Sequence, residues 1–268
     1  QDNKALQAGT SHFLGQNFSR QFDLKFQSEA GQEEYAWNTS WGVSTRLVGG
    51  MVMTHGDDVG IVVPPRLAPV QVVIIPISRK EEERVAVNEK AHQLAKSLRD
   101  LGVRIKVDAR DHLSPGAKFW EWERKGVPFR IEIGPKDLAK EQAVVVRRVS
   151  FGEEERKAFL PEREAVEDMP GRLEAFQANL LRLARERREA NSHRGIGSLS
   201  ELKEIMEGDG GFVYTGWSGD PAVEERVKEE TKATIRVIPD SEFRSPTPPK
   251  TCIGGGDSRM EVIWSKAY

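Results

Sequence analysis

The sequence predicts an α/β and α+β protein. A central α/β domain with a mixed, mostly parallel sheet is preceded by a strand-rich segment and followed by a small α+β domain. Three observations predict this. Gln71-Val72-Val73-Ile74-Ile75-Pro76-Ile77 is a nearly continuous β-branched run, as expected of a strand buried on both faces. Between residues 70 and about 165, strand patterns alternate with helical ones, the order that yields parallel strands covered by helices. Pro64-Pro65-Arg66-Leu67-Ala68-Pro69 interrupts the chain just before that region. Proline fixes its own φ and restricts the residue before it, so this stretch reads as an extended linker and a domain boundary.

In the first 68 residues, Phe22, Leu24 and Phe26 alternate with Asp23 and Lys25, the two-residue period of a half-buried strand. Tyr35 to Trp41 reads as a second strand. Leu47, Val48 and Met51 share one face of a helix expected from about Thr45 to Thr54, and Gly56-Asp57-Asp58 makes a turn. This segment reads as short of sheet neighbours, which leaves strand edges open.

Beyond the β-branched run, Ala91, Leu94, Ala95 and Leu98 recur at i, i+3, i+4 and i+7, the stripe of an amphipathic helix over 81–100 that Gly102 ends. Val103 to Val107 is the next strand. Ser114-Pro115-Gly116 breaks the chain before a short helix ending near Lys125-Gly126, and 128–134 is the third strand. Leu173, Phe176, Leu180 and Leu183 form the inner stripe of a long charged helix over 171–190, which opens the last domain. Ser198-Leu199-Ser200-Glu201 is a capping box, the serine accepting from backbone N–H groups while the glutamate reaches back, so a helix follows to about Glu207. A further helix is expected over 221–231, strands over 233–238 and 262–264, and an irregular loop at Ser245 to Pro249. The expected domains are 1–68, 69–170 and 171–268.

Composition narrows the functional classes. Hydrophobic residues make up 38% of the 268, enough to bury a core, and the formal net charge of -2 gives no global basic field. That argues against indiscriminate coating of nucleic acid and leaves a local RNA-binding face open. Cys252 is the single cysteine, so neither an intramolecular disulfide nor an all-cysteine metal site can form, and a reducing, cytoplasmic setting fits. There is no run of about eighteen apolar residues to span a membrane. The start, Gln1-Asp2-Asn3-Lys4, has neither signal-peptide nor transit-peptide character and reads as the middle of a longer chain. No phosphate-loop or dinucleotide fingerprint is present.

Three segments carry a resemblance. The first is Gln7-Ala8-Gly9-Thr10-Ser11-His12-Phe13-Leu14-Gly15-Gln16-Asn17-Phe18. The second is Thr39-Ser40-Trp41-Gly42-Val43-Ser44-Thr45-Arg46, continuing into Met53-Thr54-His55-Gly56-Asp57-Asp58. The third runs from Pro115-Gly116-Ala117-Lys118-Phe119 through Lys125-Gly126-Val127-Pro128-Phe129-Arg130 to Gly134-Pro135-Lys136-Asp137-Leu138. Together they resemble the second half of an archaeal/eukaryotic-like prolyl-tRNA synthetase, a class II aminoacyl-tRNA synthetase, essentially end to end. On that resemblance, 1–68 is the C-terminal part of the antiparallel-sheet catalytic domain with its third motif. Residues 69–170 are then the α/β anticodon-binding domain, and 171–268 resemble the family's small zinc-binding domain.

By residue chemistry alone, Gly9-Thr10-Ser11-His12 suits a turn of small polar groups as well as a site, and Arg46 suits a surface cation. The resemblance implies that Gln7, Ala8, Gly9 and Thr10 line an ATP site with Ser44 and Arg46, and that His12 sits by bound proline. Arg46 is implied to act catalytically near the adenine and the triphosphate, where a planar, always-charged group suits both stacking and phosphate. The implied reaction is ATP-dependent activation of L-proline to prolyl-adenylate, with Mg2+ carried on the ATP phosphates, and transfer to tRNA(Pro). Alignment and charge neutralisation dominate such an in-line attack. Other site residues of the family lie upstream, so the isolated chain is expected to be inactive. The complete enzyme is expected to be a homodimer with no membrane partner.

Arg110, Lys118, Arg124, Lys125, Arg130 and Lys136 are interleaved with Phe119, Trp120, Trp122 and Phe129. Cations for phosphate and aromatic faces for bases make the composition of a single-stranded RNA reader, and equally that of a solvated helix over core aromatics. By resemblance, Glu123 and Lys136 match positions that read the guanines of the proline anticodon. A carboxylate accepts from guanine N1–H and N2–H; a lysine donates to O6 or N7.

Relatives of this type carry four cysteines in the last domain. The matching positions here are Ser218, Val223, Cys252 and Gly255. One thiolate cannot supply a four-ligand structural site, so neither zinc nor another protein-held metal is expected. Phe212, Ile235, Ile238, Ile263 and Trp264 are the candidate core instead. Ser265-Lys266-Ala267-Tyr268 resembles the family ending, whose terminal tyrosine folds back toward the active site. A non-catalytic tRNA- or partner-binding module that reuses an anticodon-binding domain is the alternative, and the presence of His12 and Arg46 favours the ligase.

Overall fold

The structure, a computed structural model, describes residues 1–78, 80–152 and 155–268. It divides into two compact units: Met51–Glu189, and Gln1–Gly50 together with Ala190–Tyr268. Among the described residues no helix is long and apolar enough to cross a membrane.

Residues 1–50 carry β1 (Thr10–Gly15), α1 (Asn17–Gln21), β2 (Lys25–Gln27), β3 (Glu33–Tyr35) and β4 (Asn38–Gly42); α2 (Arg46–His55) begins there. β1 pairs antiparallel with β4, and β2 with β3. The alternation at Phe22–Phe26 overstates the strand. Phe22 and Leu24 lie before β2 and are exposed, as is Phe26. A two-residue period marks a half-buried strand only where a second layer covers one face, and these ribbons have both faces open.

Residues 51–189 hold β5 (Val72–Pro76), α3 (Glu81–Asp100), β6 (Ile105–Val107), α4 (Pro115–Arg124) and β7 (Phe129–Ile133). They continue with α5 (Pro135–Leu138), β8 (Gln142–Arg147), β9 (Lys157–Pro161), α6 (Glu162–Glu167) and α7 (Met169–Ala190). The sheet order is β6-β5-β7-β8-β9. β5 pairs parallel with β6 and β7, whereas β7–β8 and β8–β9 are antiparallel. The sheet is thus mixed, with parallel and antiparallel halves. β5 is buried on both faces, as its β-branched run predicts. Val72 and Ile74 meet the stripe of α3, and Val73 and Ile75 meet Trp122 of α4.

Two expectations need correction here. The stripe of α7 was expected to open the last domain, yet Leu173, Phe176 and Leu180 pack into the core of this unit. The Phe176 ring meets Phe129 and Phe151 edge-on at 5.7 and 5.2 Å. The proline segment was expected to be a linker at 68/69, yet Val62 to Pro65 and Ala68 are buried. Prolines lack N–H donors but keep carbonyl acceptors. The Arg104 guanidinium uses them, donating to the carbonyls of Ala68 at 2.8 Å and Pro65 at 2.7 Å. The chain just before it is pressed equally close: Gly126 has φ +69°, and a Cβ there would lie 2.5 Å from the Ile61 carbonyl oxygen.

Residues 190–268 carry β10 (Ser192–His193), α8 (Leu199–Glu207), β11 (Phe212–Trp217), α9 (Pro221–Thr231), β12 (Thr234–Val237) and β13 (Met260–Ser265), with sheet order β10-β11-β13-β12. The capping box forms as read: Ser198 Oγ accepts from Glu201 N at 3.3 Å, and Glu201 Oε2 accepts from Ser198 N at 3.3 Å. Leu202, Met206, Val213, Val227, Val262 and Trp264 make the core. Trp264 and Ile263 are buried, and Phe212 and Ile235 are half-buried. Ile238 is exposed, contrary to expectation. A register shift between Ile235 and Val237 breaks the alternation, and β12 ends before Ile238.

Candidate functional site

At the first candidate site, β1 and β4 lie in register with Thr10 opposite Gly42 and His12 opposite Ser40. Thr10 and His12 are two apart on one strand and so share a face. A Cβ on Gly9 would sit 3.1 Å from the Gly42 carbonyl oxygen, so a small residue there lets the two segments close. Gln7 Nε2 donates to Thr10 Oγ1 at 3.0 Å, and Arg46 Nη1 approaches Gln7 Oε1 at 3.5 Å. Ser44 Oγ accepts from the Arg46 backbone N–H at 3.3 Å. Gln7, Gly9, Thr10, Ser44 and Arg46 are thereby gathered at one end of the β1–β4 ribbon, next to Ala8. Arg46, Ser44, Ala8 and His12 are exposed.

The chain end runs beside this segment. Ala5 N donates to the Lys266 carbonyl at 2.9 Å, and Tyr268 N to the Ala5 carbonyl at 3.1 Å. The Tyr268 backbone is therefore pinned two residues from Gln7, while its side chain is exposed.

The second candidate site lies on residues 51–189. Lys136 is exposed in the first turn of α5. Asp137 fixes that turn, accepting from Gly134 N at 2.9 Å and from Gln142 Nε2 at 3.0 Å. Among the described residues the Lys136 amine has no hydrogen bond or ion pair. Glu123 is in the last turn of α4, half-buried, and its carboxylate is held by the Arg156 guanidinium. Its carbonyl accepts from Arg148 Nε at 2.7 Å, and Arg148 also grips both carboxylate oxygens of Asp57 at 2.8 and 2.6 Å. No bond joins Glu123 to Lys136.

The structure sorts the sequence's cation and aromatic cluster. Trp122 and Phe129 are core residues, and Lys118 is buried. Arg110 is committed to Asp108 and Glu121. Trp120 remains exposed, and Phe119 is half-buried with the Arg130 guanidinium 4.2 Å above its ring. Sequence reasoning missed Arg156, Lys157 and Phe159 because it missed the β8–β9 hairpin. Lys157 lies 5.4 Å from the exposed Phe159 ring.

Asp108 anchors the loop between β6 and α4. It accepts from Arg110 Nε at 2.8 Å and Nη2 at 2.7 Å, and from Trp122 Nε1 at 2.7 Å. The Arg110 guanidinium holds its carboxyl well below the usual range.

The positions matching a zinc site do not suit zinc. Val223 is apolar, and its Cγ2 lies 2.7 Å from where a Cβ on Gly254 would be. Ser218 Oγ accepts from Asp220 N at 3.3 Å, and the buried Cys252 Sγ accepts from Gly254 N at 3.4 Å. Among the described residues no group of three or more His, Cys, Asp or Glu could hold a metal ion. Elemental analysis of the purified chain should therefore find well under one zinc per chain, and a chelator should leave its melting temperature unchanged. One zinc per chain would contradict this.

Comparison with known proteins agrees with the two folds. Residues 71–167 match the family model described as the anticodon binding domain, and residues 199–268 match that of the prolyl-tRNA synthetase C-terminal domain. The chain is 47% identical over 269 residues to the proline–tRNA ligase of Chloroflexus aurantiacus, 47% over 274 to that of Symbiobacterium thermophilum and 45% over 270 to that of Flavobacterium johnsoniae. Each alignment covers 100% of this chain and 54%, 54% and 53% of those proteins respectively. The chain spans about half the length of the curated relatives it matches. Through its anticodon binding domain, its matching C-terminal domain and this end-to-end similarity, the chain belongs to the prolyl-tRNA synthetase family.

Proposed function

We propose that this chain is the anticodon-reading part of a proline–tRNA ligase and also supplies part of its ATP and proline site. One observation carries the reading: Lys136 stands exposed and unpaired among the described residues, on the domain that matches the anticodon-binding family. Lys136 donates to a guanine of the tRNA(Pro) anticodon, and Glu123 accepts from another. A carboxylate has about four acceptor positions, so Glu123 can keep Arg156 and still take a guanine N–H. The Phe119–Arg130 stack and Trp120 offer faces for unstacked bases.

In the complete enzyme, Gln7, Ala8, Gly9, Thr10 and Ser44 bind ATP, and His12 holds proline. ATP brings the reactive α-phosphate and its Mg2+ to the site. Arg46 contributes a fixed positive charge toward the phosphates, which lowers the cost of charge developing in the attack. The complete enzyme acts as a homodimer on ATP, L-proline and tRNA(Pro).

Lys136→Ala in the complete enzyme should lower kcat/KM for aminoacylation about 10- to 100-fold, the value of one good base contact. Proline-dependent ATP–pyrophosphate exchange should change by less than about twofold, because uniform loss of tRNA binding leaves adenylation alone. Equal losses in both assays would refute the anticodon role.

A further inference from the structure

We propose that the crevice beyond the carboxyl ends of β5 and β6 binds a phosphate group, carried by an RNA backbone or by a small phosphorylated compound. Glu123 and Lys136 are not among its lining residues, and the inference does not depend on their reading bases.

Topology places it. α3, which follows β5, packs on the face of Val72 and Ile74, and α4, which follows β6, packs on the face of Val73 and Ile75. β5 and β6 are parallel neighbours. Connections that leave adjacent parallel strands toward opposite faces open a crevice at their carboxyl ends, where ligands of open α/β sheets bind. A cavity of about 150 Å³ lies there, bounded by Pro76 at the end of β5, by Ser78 beyond it, and by Ala109, Arg110, Asp111 and Leu113 after β6.

Four cations line it, and two of them are not offset by an ion pair among the described residues. Lys80, Arg84, Arg110 and Lys118 line it against Glu81 and Asp111. Arg84 is matched to those two carboxylates, at 3.0 and 3.7 Å. Arg110 is matched to Asp108 and Glu121, at 2.7 and 2.8 Å. Lys80 and Lys118 have no ion-pair partner among the described residues. Lys118 is 5% exposed, and its amine donates to the Asp108 carbonyl at 3.1 Å. A buried ammonium with one carbonyl partner is costly, and burial pushes its pKa down. An anion in the cavity relieves that cost. Ser78, Lys80, Asn88 and Lys118 bring donors from three segments, which suits a tetrahedral anion with several oxygens better than a planar carboxylate.

The test titrates inorganic phosphate into the 268-residue chain, followed by 31P line broadening, and repeats it with Lys118→Met and Lys80→Glu. Each variant should weaken binding about tenfold or more, the worth of one charge-assisted hydrogen bond. Lys80 is exposed, so Lys80→Glu carries the test if Lys118→Met fails to fold. A labelled single-stranded hexaribonucleotide is then bound across a salt series. If its affinity falls in both variants and the slope of log K against log salt drops by about one, the phosphate is that of an RNA backbone. If its affinity is unchanged while phosphate binding is lost, the site serves a small phosphorylated compound. Absence of phosphate binding to the parent chain, or equal binding by parent and both variants, overturns the proposal.

Discussion

Asp108→Ala is expected to destabilise the Met51–Glu189 unit by about 3 kcal/mol, the low end of what breaking a buried ion pair costs. Asp108 is 2% exposed and serves three donors on two side chains, Arg110 and Trp122. Its loss strands the buried Trp122 indole N–H, and Arg110 falls back on Glu121, which limits the cost. Asp108→Asn keeps one acceptor for the indole and should cost less. The pH dependence follows from the sign of the shift. The folded-state pKa of Asp108 is depressed, and that of Asp57 is depressed chiefly by its hydrogen bonds from Arg148. The unfolded chain therefore binds protons more readily in acid. Their stabilisation is full above about pH 4, the ordinary aspartate range, and is lost as pH falls below it. Urea unfolding at neutral pH and in acid should show a lower midpoint for Asp108→Ala and a shallower acid decline. An unchanged midpoint would show that the node carries no stability.

Trp264→Ala is expected to cost about 3–5 kcal/mol in the other unit, as for large aromatic deletions in a core. Trp264 is fully buried near the end of β13, packed in the hydrophobic core of this domain. Its indole Nε1 donates to Thr215 Oγ1 at 2.8 Å across to β11, so truncation also removes that buried hydroxyl's donor and leaves it only its bond to the Gly216 carbonyl at 3.3 Å. Trp264→Phe should restore most of the packing and leave a deficit of about 1–2 kcal/mol for the lost bond. Amide exchange along β11 and β13 reads this directly. Protection should fall by orders of magnitude in the alanine variant and modestly in the phenylalanine variant. Equal protection in all three would mean that this core does not hold the domain.

How much of this was legible in the sequence depended on whether a pattern was local. α3 runs over Glu81–Asp100, as its stripe implies, and the capping box at Ser198 forms with both reciprocal bonds. β5 was legible because four consecutive residues are buried whichever face they point to. What failed needed partners distant in sequence. The alternation at Phe22 to Phe26 looks like a strand on a core, yet those side chains stay exposed. The proline segment looks like a linker until Arg104 takes its carbonyls. The α7 stripe could not say which core it serves. At the site, residue types suggested cations beside aromatics, but only packing separates Lys118 and Trp122, which are buried, from Trp120 and Lys136, which are exposed. Arg156, the partner of Glu123, lies 33 residues away along the chain.

Reading of the proline anticodon guanines by this chain, as proposed above, has a direct consequence for RNA binding. The most direct measurement is the affinity of the 268-residue chain for the anticodon stem-loop of tRNA(Pro), compared with the same stem-loop carrying adenines in place of the anticodon guanines. The parent chain should prefer the guanine form by about tenfold or more, the discrimination expected of one or two good base contacts, and Lys136→Ala should reduce that preference. Equal affinity for the two stem-loops, with the preference untouched by Lys136→Ala, would contradict it.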